Sequence, residues 1–137
     1  VQFPLLARGL VEAGAELILA PSVTETLHGY WRVRTGAQAR ALENQCYVVH
    51  APVVGEAPWS PAVDVSRGAA AVYGPPDKGF PPDGVVAIGE LDRPGWIHAE
   101  IDLDLAAAVR ADGMVLNHRH WPEQANATSA PVELAAV

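Results

Sequence analysis

The chain has 137 residues, 50% hydrophobic and 18% charged, a balance typical of one globular domain and not of a disordered, collagen-like or coiled-coil protein. Nine lysines and arginines stand against 16 aspartates and glutamates, and the resulting net charge of −7 disfavours binding to nucleic acid or to anionic membranes. A single cysteine, Cys46, excludes an internal disulfide, and we expect a reducing, cytoplasmic location. No apolar run approaches the ~20 residues of a membrane span.

The first half of the chain predicts alternating helices and strands. Pro4 suits the first turn of a helix, and the spacing of the apolar residues that follow extends this helix to about Ala13. Residues 16–20 form a short apolar run closed by a proline, typical of a strand buried on both faces of an α/β sheet. A polar loop over residues 21–29 then leads to a second helix over residues 30–45. Since ligands of open α/β sheets bind beyond the carboxyl ends of strands, we expect a binding site at this loop.

The second half predicts more strands and one further helix. Residues 46–54, rich in β-branched and aromatic side chains, give the strongest strand signal in the sequence. The other predicted elements are strands over residues 69–73, 85–88 and 96–101 and a helix over residues 103–110. From residue 122 onward the composition changes to Ala, Ser, Thr, Asn and Pro, which predicts a flexible tail or one that lies against a partner.

Cysteine and histidine chemistry has little support in the sequence. Cys46 and His50 could be a nucleophile and its base, but four residues of strand separate them by about 13 Å, so we expect Cys46 to be an inert packing residue. His118 and His120 have the spacing of two metal ligands on one strand face, yet a metal needs a third ligand that no spacing rule supplies. We therefore expect exposed or hydrogen-bonded histidines, with a metal at this pair as the weaker alternative.

The loop after the first strand holds the other candidate site residues. Glu25 is the carboxylate best placed for a site, although a solvated loop charge is the simpler interpretation. Ser22 and Thr24 could bond a substrate or only their own turn. Trp31 and Trp59 could wall an apolar pocket, but packing in the core is the simpler interpretation. Phosphate-binding loops, serine-hydrolase elbows and zinc-protease motifs do not occur in the sequence.

Several segments, at fitting separations, carry a family resemblance. They are Phe3-Pro4 with Arg8, Gly14 to Ser22 (GAELILAPS), and Ala39 to Val49 (ARALENQCYVV). Two later segments agree with them, namely residues 68–75 and 99–103. Together they resemble the carbon–nitrogen hydrolase family, the nitrilase superfamily, over about residues 1–121.

The resemblance implies an αββα sandwich and a hydrolase of amide, nitrile or carbamyl substrates that needs no cofactor. Family members use a Glu-Lys-Cys triad, in which the thiolate attacks, the lysine stabilises the oxyanion and the glutamate shuttles protons. The family's cysteine lies in a Cys-x-Asp-x-x-Phe-Pro segment, which would put it three positions before Val1, and Cys46 belongs to another segment. We therefore expect residues 1–121 to be the C-terminal part of such an enzyme, without its triad and inactive alone, followed by a tail over residues 122–137.

The resemblance also implies substrate contacts and partners. It places Ser22, Val23 and Thr24 at the substrate site and Trp31 or Trp59 at its rim. With the loop carboxylate Glu25, these are the candidate substrate-binding residues. Thr24 is the strongest of these, and backbone groups of Val23 and Thr24 would orient a substrate amide. The implied partners are a missing N-terminal half, which would cover a free strand edge and an apolar face, and a second copy in a homodimer. The alternative is a non-catalytic binding or assembly module that keeps half of the fold.

Overall fold

The structure, a computed structural model, describes residues 1–129 and Pro131. Its strands are β1 (Leu17–Ser22), β2 (Tyr47–Pro52), β3 (Gly55–Glu56), β4 (Val65–Ser66), β5 (Ala71–Tyr73) and β6 (Val85–Ile88). Its helices are α1 (Pro4–Glu12), α2 (Leu27–Asn44), α3 (Leu103–Asp112), α4 (Asn117–His120) and α5 (Gln124–Thr128), with a 3₁₀ turn over Trp121–Glu123. Within the described residues, none of these helices has the length and apolar character needed to cross a membrane.

The main sheet has the strand order β1-β2-β5-β6. β1 and β2 are parallel, in a register that sets Leu17 opposite Tyr47 and Ser22 opposite Pro52. The other two pairs are antiparallel, and β3 and β4 form a separate two-stranded ribbon. Two parallel neighbours require a crossover, which α2 provides. The carboxyl ends of β1 and β2 therefore lie side by side at one edge of the sheet.

Helices α1 and α2 cover one face of the main sheet. The core on this side combines one residue of α1 and small residues of α2 with Cys46 and residues of the strands: Val11, Ala20, Ala37, Ala41, Cys46, Val48, Ala71 and Tyr73. Ala37 and Ala41 are completely buried, since a methyl side chain allows the helix to approach the sheet closely. The predicted helices and the strong second strand are thus confirmed by the packing.

The opposite face of the sheet is covered only in part. Tyr47 and Val72 pack there against Ala106 of α3. On β1, Leu17 also packs against this cluster, but beyond it the same face is open, and 69% of the surface of Leu19 is exposed. The prediction that the first strand is buried on both faces is therefore wrong for this chain, because alternation buries Ala20 under the helices and turns Leu19 to the uncovered side.

Two other predictions differ from the structure. β1 continues to Ser22 and α2 begins at Leu27, so the connecting loop is only residues 23–26 instead of 21–29. Residues 96–101 form no strand, because residues 98–100 are exposed in succession, which breaks the alternation of a half-buried strand. Ile97 and Ile101 instead anchor this segment against the partly covered face.

The first part of the predicted tail is helical. Residues 121–128 form the 3₁₀ turn and α5, whereas residue 130 and residues 132–137 lie outside the described residues. Trp121 packs against Arg8 of the same chain, with the guanidinium carbon 5.0 Å from the ring centroid. Whether residues from 122 onward lie against a partner, and whether the chain forms a homodimer, stay predictions.

One buried side chain joins the end of α2 to the later segments. Gln45 follows α2 in the left-handed conformation (φ 47°) and is fully buried. Its Nε2 donates to the carbonyls of Val109 (2.9 Å) and Val115 (3.0 Å) and lies 3.4 Å from Oδ2 of Asp77. Its Oε1 accepts from the N–H of His118 at 3.1 Å. Gln45 therefore ties α2 to α3, to α4 and to the proline-rich segment over residues 74–84, which contains Asp77.

Asp77 is the anionic end of this connection. Its Oδ1 accepts from the N–H groups of Lys78 and Met114, both at 2.7 Å. Burial favours the neutral acid, but these hydrogen bonds, with those from the Val115 amide and Gln45, outweigh burial and hold the pKa of Asp77 below its ordinary value. Asp77 is thus a buried carboxylate whose charge is met by hydrogen-bond donors.

Removal of the Gln45 amide should destabilise the whole chain. In Gln45→Leu, two buried carbonyls and the Asp77 carboxylate lose a donor. We therefore expect the free energy of unfolding to be about 3 kcal/mol lower than in the wild type. Urea denaturation followed by tryptophan fluorescence measures this difference. Gln38→Leu is the matched control, because the Gln38 amide makes only a long, exposed contact of 3.5 Å, and it should change stability by less than ~0.5 kcal/mol. Equal losses in the two variants would contradict the role of Gln45.

Candidate functional site

The carboxyl end of β1 is fastened to the end of β2. The Oγ of Ser22 lies 2.9 Å from Nε2 of His50 on β2, and the Ser22 carbonyl accepts from the N–H of Val53 at 2.9 Å. Residues 23–26, hereafter the β1–α2 loop, begin at this fixed point. The side chain of Ser22 thus points to His50 beneath the loop, while the loop itself stands at the edge where parallel strands place binding sites.

Thr24 is held in the loop by a reciprocal pair of hydrogen bonds. Its Oγ1 donates to the carbonyl of Arg67 at 3.0 Å, and the N–H of Arg67 donates to the Thr24 carbonyl at 2.8 Å. The Arg67 guanidinium binds Asp92, which also accepts from the N–H of Gly68 at 3.0 Å. The hydrogen bond from Arg67 keeps the pKa of Asp92 below its ordinary value. Thr24, the strongest of the predicted substrate contacts, therefore has its hydroxyl proton engaged by the fold.

The far end of the loop is the cap of α2. Thr26 is the N-cap, and its Oγ1 accepts from the N–H of Gly29 at 3.1 Å. Gly29 packs so closely on Thr24 that a Cβ at this position would lie 2.9 Å from the Thr24 Cβ. The loop is thus held at Ser22, at Thr24 and at Thr26, and its backbone groups have fixed directions.

Two cavities open beside the loop. The first, of about 390 Å³, is lined by Val23, Thr24, Glu25 and Arg32, among others. The second, of about 420 Å³, has a mainly apolar lining that includes Val23 and Trp59. Because Val23 lines both, the cavities adjoin, and together they offer an apolar compartment next to one with hydroxyl, carboxylate and guanidinium groups. Such a combination suits a small polar molecule with an apolar part.

The two tryptophans lie at cavity rims and not in the core. Trp59 is 80% exposed, and Trp31 is 50% exposed, with the guanidinium of Arg34 4.8 Å from its ring centroid. Trp31 lines a third cavity, of about 610 Å³, which shares Arg32 with the first. Core packing of these tryptophans is therefore the wrong interpretation. The resemblance implied that one of these rings lies at the rim of the substrate site, and this stays a prediction.

The structure thus groups most of the predicted site residues. Val23, Thr24, Glu25 and Trp59 meet at adjoining cavities, and Trp31 is one cavity away. Whether these residues contact a substrate stays a prediction. Glu25 is exposed, in keeping with a solvated loop charge.

Sequence reasoning did not single out Arg32 or Arg67 for the site. Arg32 lies five residues into α2 without a motif around it. The contribution of Arg67 is chiefly through its backbone, and Thr24 and Arg67 are paired only by the tertiary fold. Arg67 follows β4, a strand of two residues that is too short to produce a hydrophobic pattern.

Cys46 and His50 do not pair as nucleophile and base. Cys46 is completely buried ahead of β2, and its thiol points to the carbonyl of Arg40 with a distance of 3.8 Å. Burial raises the pKa of Cys46 to about 11, against the opposing effect of the positive charge of Arg110. The thiol is therefore protonated at neutral pH, as expected for an inert packing residue.

The paired histidines are not on a strand. His118 and His120 lie in helix α4, so the prediction that they share a strand face is wrong. The backbone N–H of His118 is bound by Gln45, and burial lowers the pKa of its imidazole, with the charges of Arg110 and Arg8 acting in the same direction. Among residues 1–129 and Pro131, no group of three or more His, Cys, Asp or Glu side chains is arranged to hold a metal ion.

Comparison with known sequences connects this geometry to one family. The family model described as carbon–nitrogen hydrolase matches residues 1–111. A Bacillus subtilis protein named probable hydrolase YhcX is 35% identical over 115 residues, which cover 84% of this chain and 22% of that protein. Human deaminated glutathione amidase is 34% identical over 121 residues, which cover 87% of this chain and 33% of the amidase. The chain therefore spans only 22% to 33% of the length of these relatives.

Solved structures give the same fold. Saccharomyces cerevisiae Nit3, a member of branch 10 of the nitrilase superfamily, matches 80% of this chain with 37% of its own, at a TM-score of 0.58 and 26% identity. The Caenorhabditis elegans NitFhit protein matches 80% of this chain with 24% of its own, at a TM-score of 0.58 and 31% identity. A Helicobacter pylori carbon–nitrogen hydrolase covers 96% of the chain at a TM-score of 0.65 and 19% identity, a likeness of fold alone. The predicted α/β class is confirmed as a nitrilase-like fold.

Close packing of α2 on the loop can be tested at Gly29. In Gly29→Ala the new methyl group would lie 2.9 Å from the Thr24 Cβ, so we expect a loss of about 1–2 kcal/mol in the free energy of unfolding. Gly9→Ala is the matched control, because nothing lies within 4 Å of a Cβ at this position in α1. That control should gain up to ~1 kcal/mol from better helix propensity. Urea denaturation measures the free energy of unfolding of both variants. An increase in both would contradict the close packing of Gly29 on Thr24.

The inert character of Cys46 can be tested by alkylation. In the folded chain at pH 7.5, iodoacetamide should label Cys46 at least about a hundredfold more slowly than in urea, because the thiol is buried and protonated. Mass spectrometry of quenched samples gives both rates. Rapid labelling of folded protein at or below neutral pH would instead identify Cys46 as an accessible thiolate.

Proposed function

This chain belongs to the carbon–nitrogen hydrolase family, and on that basis we propose that it is the C-terminal part of an enzyme that hydrolyses a non-peptide carbon–nitrogen bond. The substrate class is a small amide, nitrile or carbamyl compound. The nucleophilic cysteine, the glutamate and the lysine would be supplied by a preceding half of the same polypeptide, attached before Val1. The free edge of β1 is the observation that carries this proposal.

β1 is an edge strand with an unsatisfied outer side. It pairs with β2 only, and within the described residues no strand lies on its other side. The carbonyls of Glu16 and Ser22 point to β2, so alternation turns the backbone groups of Leu17 and Leu19 outward. Pro21, which lacks an N–H, falls on the same outer side. The outward backbone groups of Leu17 and Leu19 can therefore pair with another strand, up to Pro21.

An apolar groove accompanies this free edge. Between α1 and β1 lies a cavity of about 230 Å³ lined by Phe3, Leu6, Leu10 and Leu19, among others. These four side chains are all largely exposed, and monomeric proteins seldom leave so many large apolar groups together in solvent. A preceding half that adds a strand beside β1 would cover the groove and continue the parallel arrangement set by β2.

The chain's own contribution to the reaction would be one wall of the substrate pocket. The β1–α2 loop stands at the carboxyl edge of the sheet, next to the position that a strand added beside β1 would reach. Its fixed backbone at Val23 and Thr24 would orient the substrate, and Trp59 would shelter the apolar part. In such an enzyme the thiolate would attack the substrate carbon, the lysine would stabilise the oxyanion and the glutamate would transfer protons. Cys46, buried and protonated, takes no part.

The proposal predicts that activity requires the preceding half. A polypeptide encoded by the gene region that extends upstream of Val1 should release ammonia from a panel of small amides, nitriles and carbamyl compounds, whereas residues 1–137 alone should release none. A variant with alanine at the upstream cysteine is the control and should lose at least about a thousandfold in rate.

A folded, extended polypeptide that releases no ammonia from any compound of the panel would contradict the proposal. So would an alanine variant with undiminished activity. Either result would favour the alternative, a non-catalytic binding or assembly module with a nitrilase-like half fold.

A further inference from the structure

A buried polar cluster lies between α2 and the sheet, beneath the β1–α2 loop. Its centre is His50 on β2, which is 1% exposed. The imidazole stacks on the ring of Tyr30, with the centroids 5.9 Å apart and the planes 14° from parallel. Its Nε2 lies 2.9 Å from the Oγ of Ser22. The Tyr30 hydroxyl in turn accepts from the guanidinium of Arg34 at 3.2 Å.

A histidine at this position is unusual for its surroundings. Its neighbours on the same face of the sheet, Ala20, Val48 and Ala71, are all apolar and buried. Burial of an imidazole among such side chains is costly unless hydrogen bonds compensate it. Burial lowers the pKa of His50, and the positive charge of Arg34 lowers it further, so the ring is neutral and has one donor and one acceptor nitrogen. The contact with Ser22 is therefore a bond between neutral groups, in which either group can be the donor. Among the described residues, Nδ1 of His50 has no hydrogen-bond partner.

His50 touches both ends of the β1–α2 loop. Ser22 is the last residue before the loop, and Tyr30 lies in the first turn of the helix that follows it. One rigid ring thus spans the base of the loop, bonded to the strand that enters it and stacked on the helix that leaves it.

We propose that His50 is a positioning residue for the substrate site, which fixes the β1–α2 loop by binding the hydroxyl of Ser22 and stacking on Tyr30. This role rests on the proposed function, in which the loop walls the substrate pocket. His50 does not itself contact substrate. It acts through Ser22 and through the loop backbone at Val23 and Thr24.

The alternative is that His50 only fills space in the core, and two substitutions separate these roles. A glutamine side chain places its amide near the position of Nε2 and can still reach Ser22, whereas an asparagine amide ends near the position of Nδ1 and cannot. Ser22→Ala removes the other partner of the bond. A space-filling role predicts that asparagine and glutamine differ little in their effect on the loop, and that Ser22→Ala has none.

Amide hydrogen exchange of residues 1–137 gives the first readout. The N–H of Arg67 donates to the Thr24 carbonyl and so reports whether the loop is in place. We expect His50→Asn and Ser22→Ala to speed exchange of this N–H about tenfold, and His50→Gln to change it less than twofold. Ser22→Ala removes one oxygen from a partly exposed residue and should fold normally. The N–H of Cys46, which donates to the Ala41 carbonyl at the end of α2, is the internal control and should not change.

Kinetics of the extended polypeptide give the second readout. We expect His50→Asn and Ser22→Ala each to raise KM about fivefold, the equivalent of one hydrogen bond, with a smaller effect on kcat. The double variant should be no more than twofold worse than either single one, because both remove the same bond. Val48→Ala, on the same strand and face two residues before His50, should lower the melting temperature and leave KM within twofold.

Several outcomes would overturn the role of His50. The first is an equal effect of His50→Gln and His50→Asn on the exchange rate of the Arg67 N–H. The second is a KM of the double variant that is raised by the product of the two single effects. The third is a rise in KM for Val48→Ala as large as that for His50→Asn. An extended polypeptide without activity would contradict the proposed function only. Exchange of the Arg67 N–H would still decide whether His50 holds the loop.

Discussion

The parallel pairing of β1 with β2 is the constraint on which the site and the proposed assembly depend. It requires α2 as a crossover, and it brings the carboxyl ends of the two strands to one edge of the sheet. The β1–α2 loop therefore lies beside the end of β2. Ser22, just before the loop, accepts a hydrogen bond from the N–H of Val53 and contacts His50. The same pairing leaves the outer side of β1 free. One arrangement of strands thus determines both the place of the proposed substrate site and the edge at which the proposed preceding half would attach.

Helix α2 is fixed at both of its ends, and this makes the loop a rigid wall. At its start, Thr26 caps the helix and Tyr30 stacks on His50. At its end, Gln45 binds carbonyls of two later segments and the Asp77 carboxylate. Because neither end of the helix can shift independently of the sheet, the short loop before it has little freedom. Backbone groups held in this way can orient a substrate without a further ordering cost.

Much of the fold could be predicted from the sequence, because the spacing of hydrophobic residues indicates α1, α2 and the apolar strands. The resemblance in the segments around Phe3, Ser22 and Glu43 also led to the right family. What failed depends on contacts distant in sequence. Leu19 is exposed because no second layer of the described residues covers it, and Trp31 and Trp59 lie at cavity rims and not in the core. The pairing of Thr24 with Arg67 has no local signal, so the supports of the site could only be found in the structure.

Amide exchange along β1 tests the central claim most directly, that the free edge receives a preceding half. The N–H groups of Leu17 and Leu19 point away from β2, and those of Ile18 and Ala20 point toward it. In residues 1–137 alone, Leu17 and Leu19 should exchange rapidly, and in the polypeptide extended upstream of Val1 they should exchange at least about a hundredfold more slowly. Ile18 and Ala20 should be protected in both. Unchanged, rapid exchange of Leu17 and Leu19 in the extended polypeptide would contradict the account.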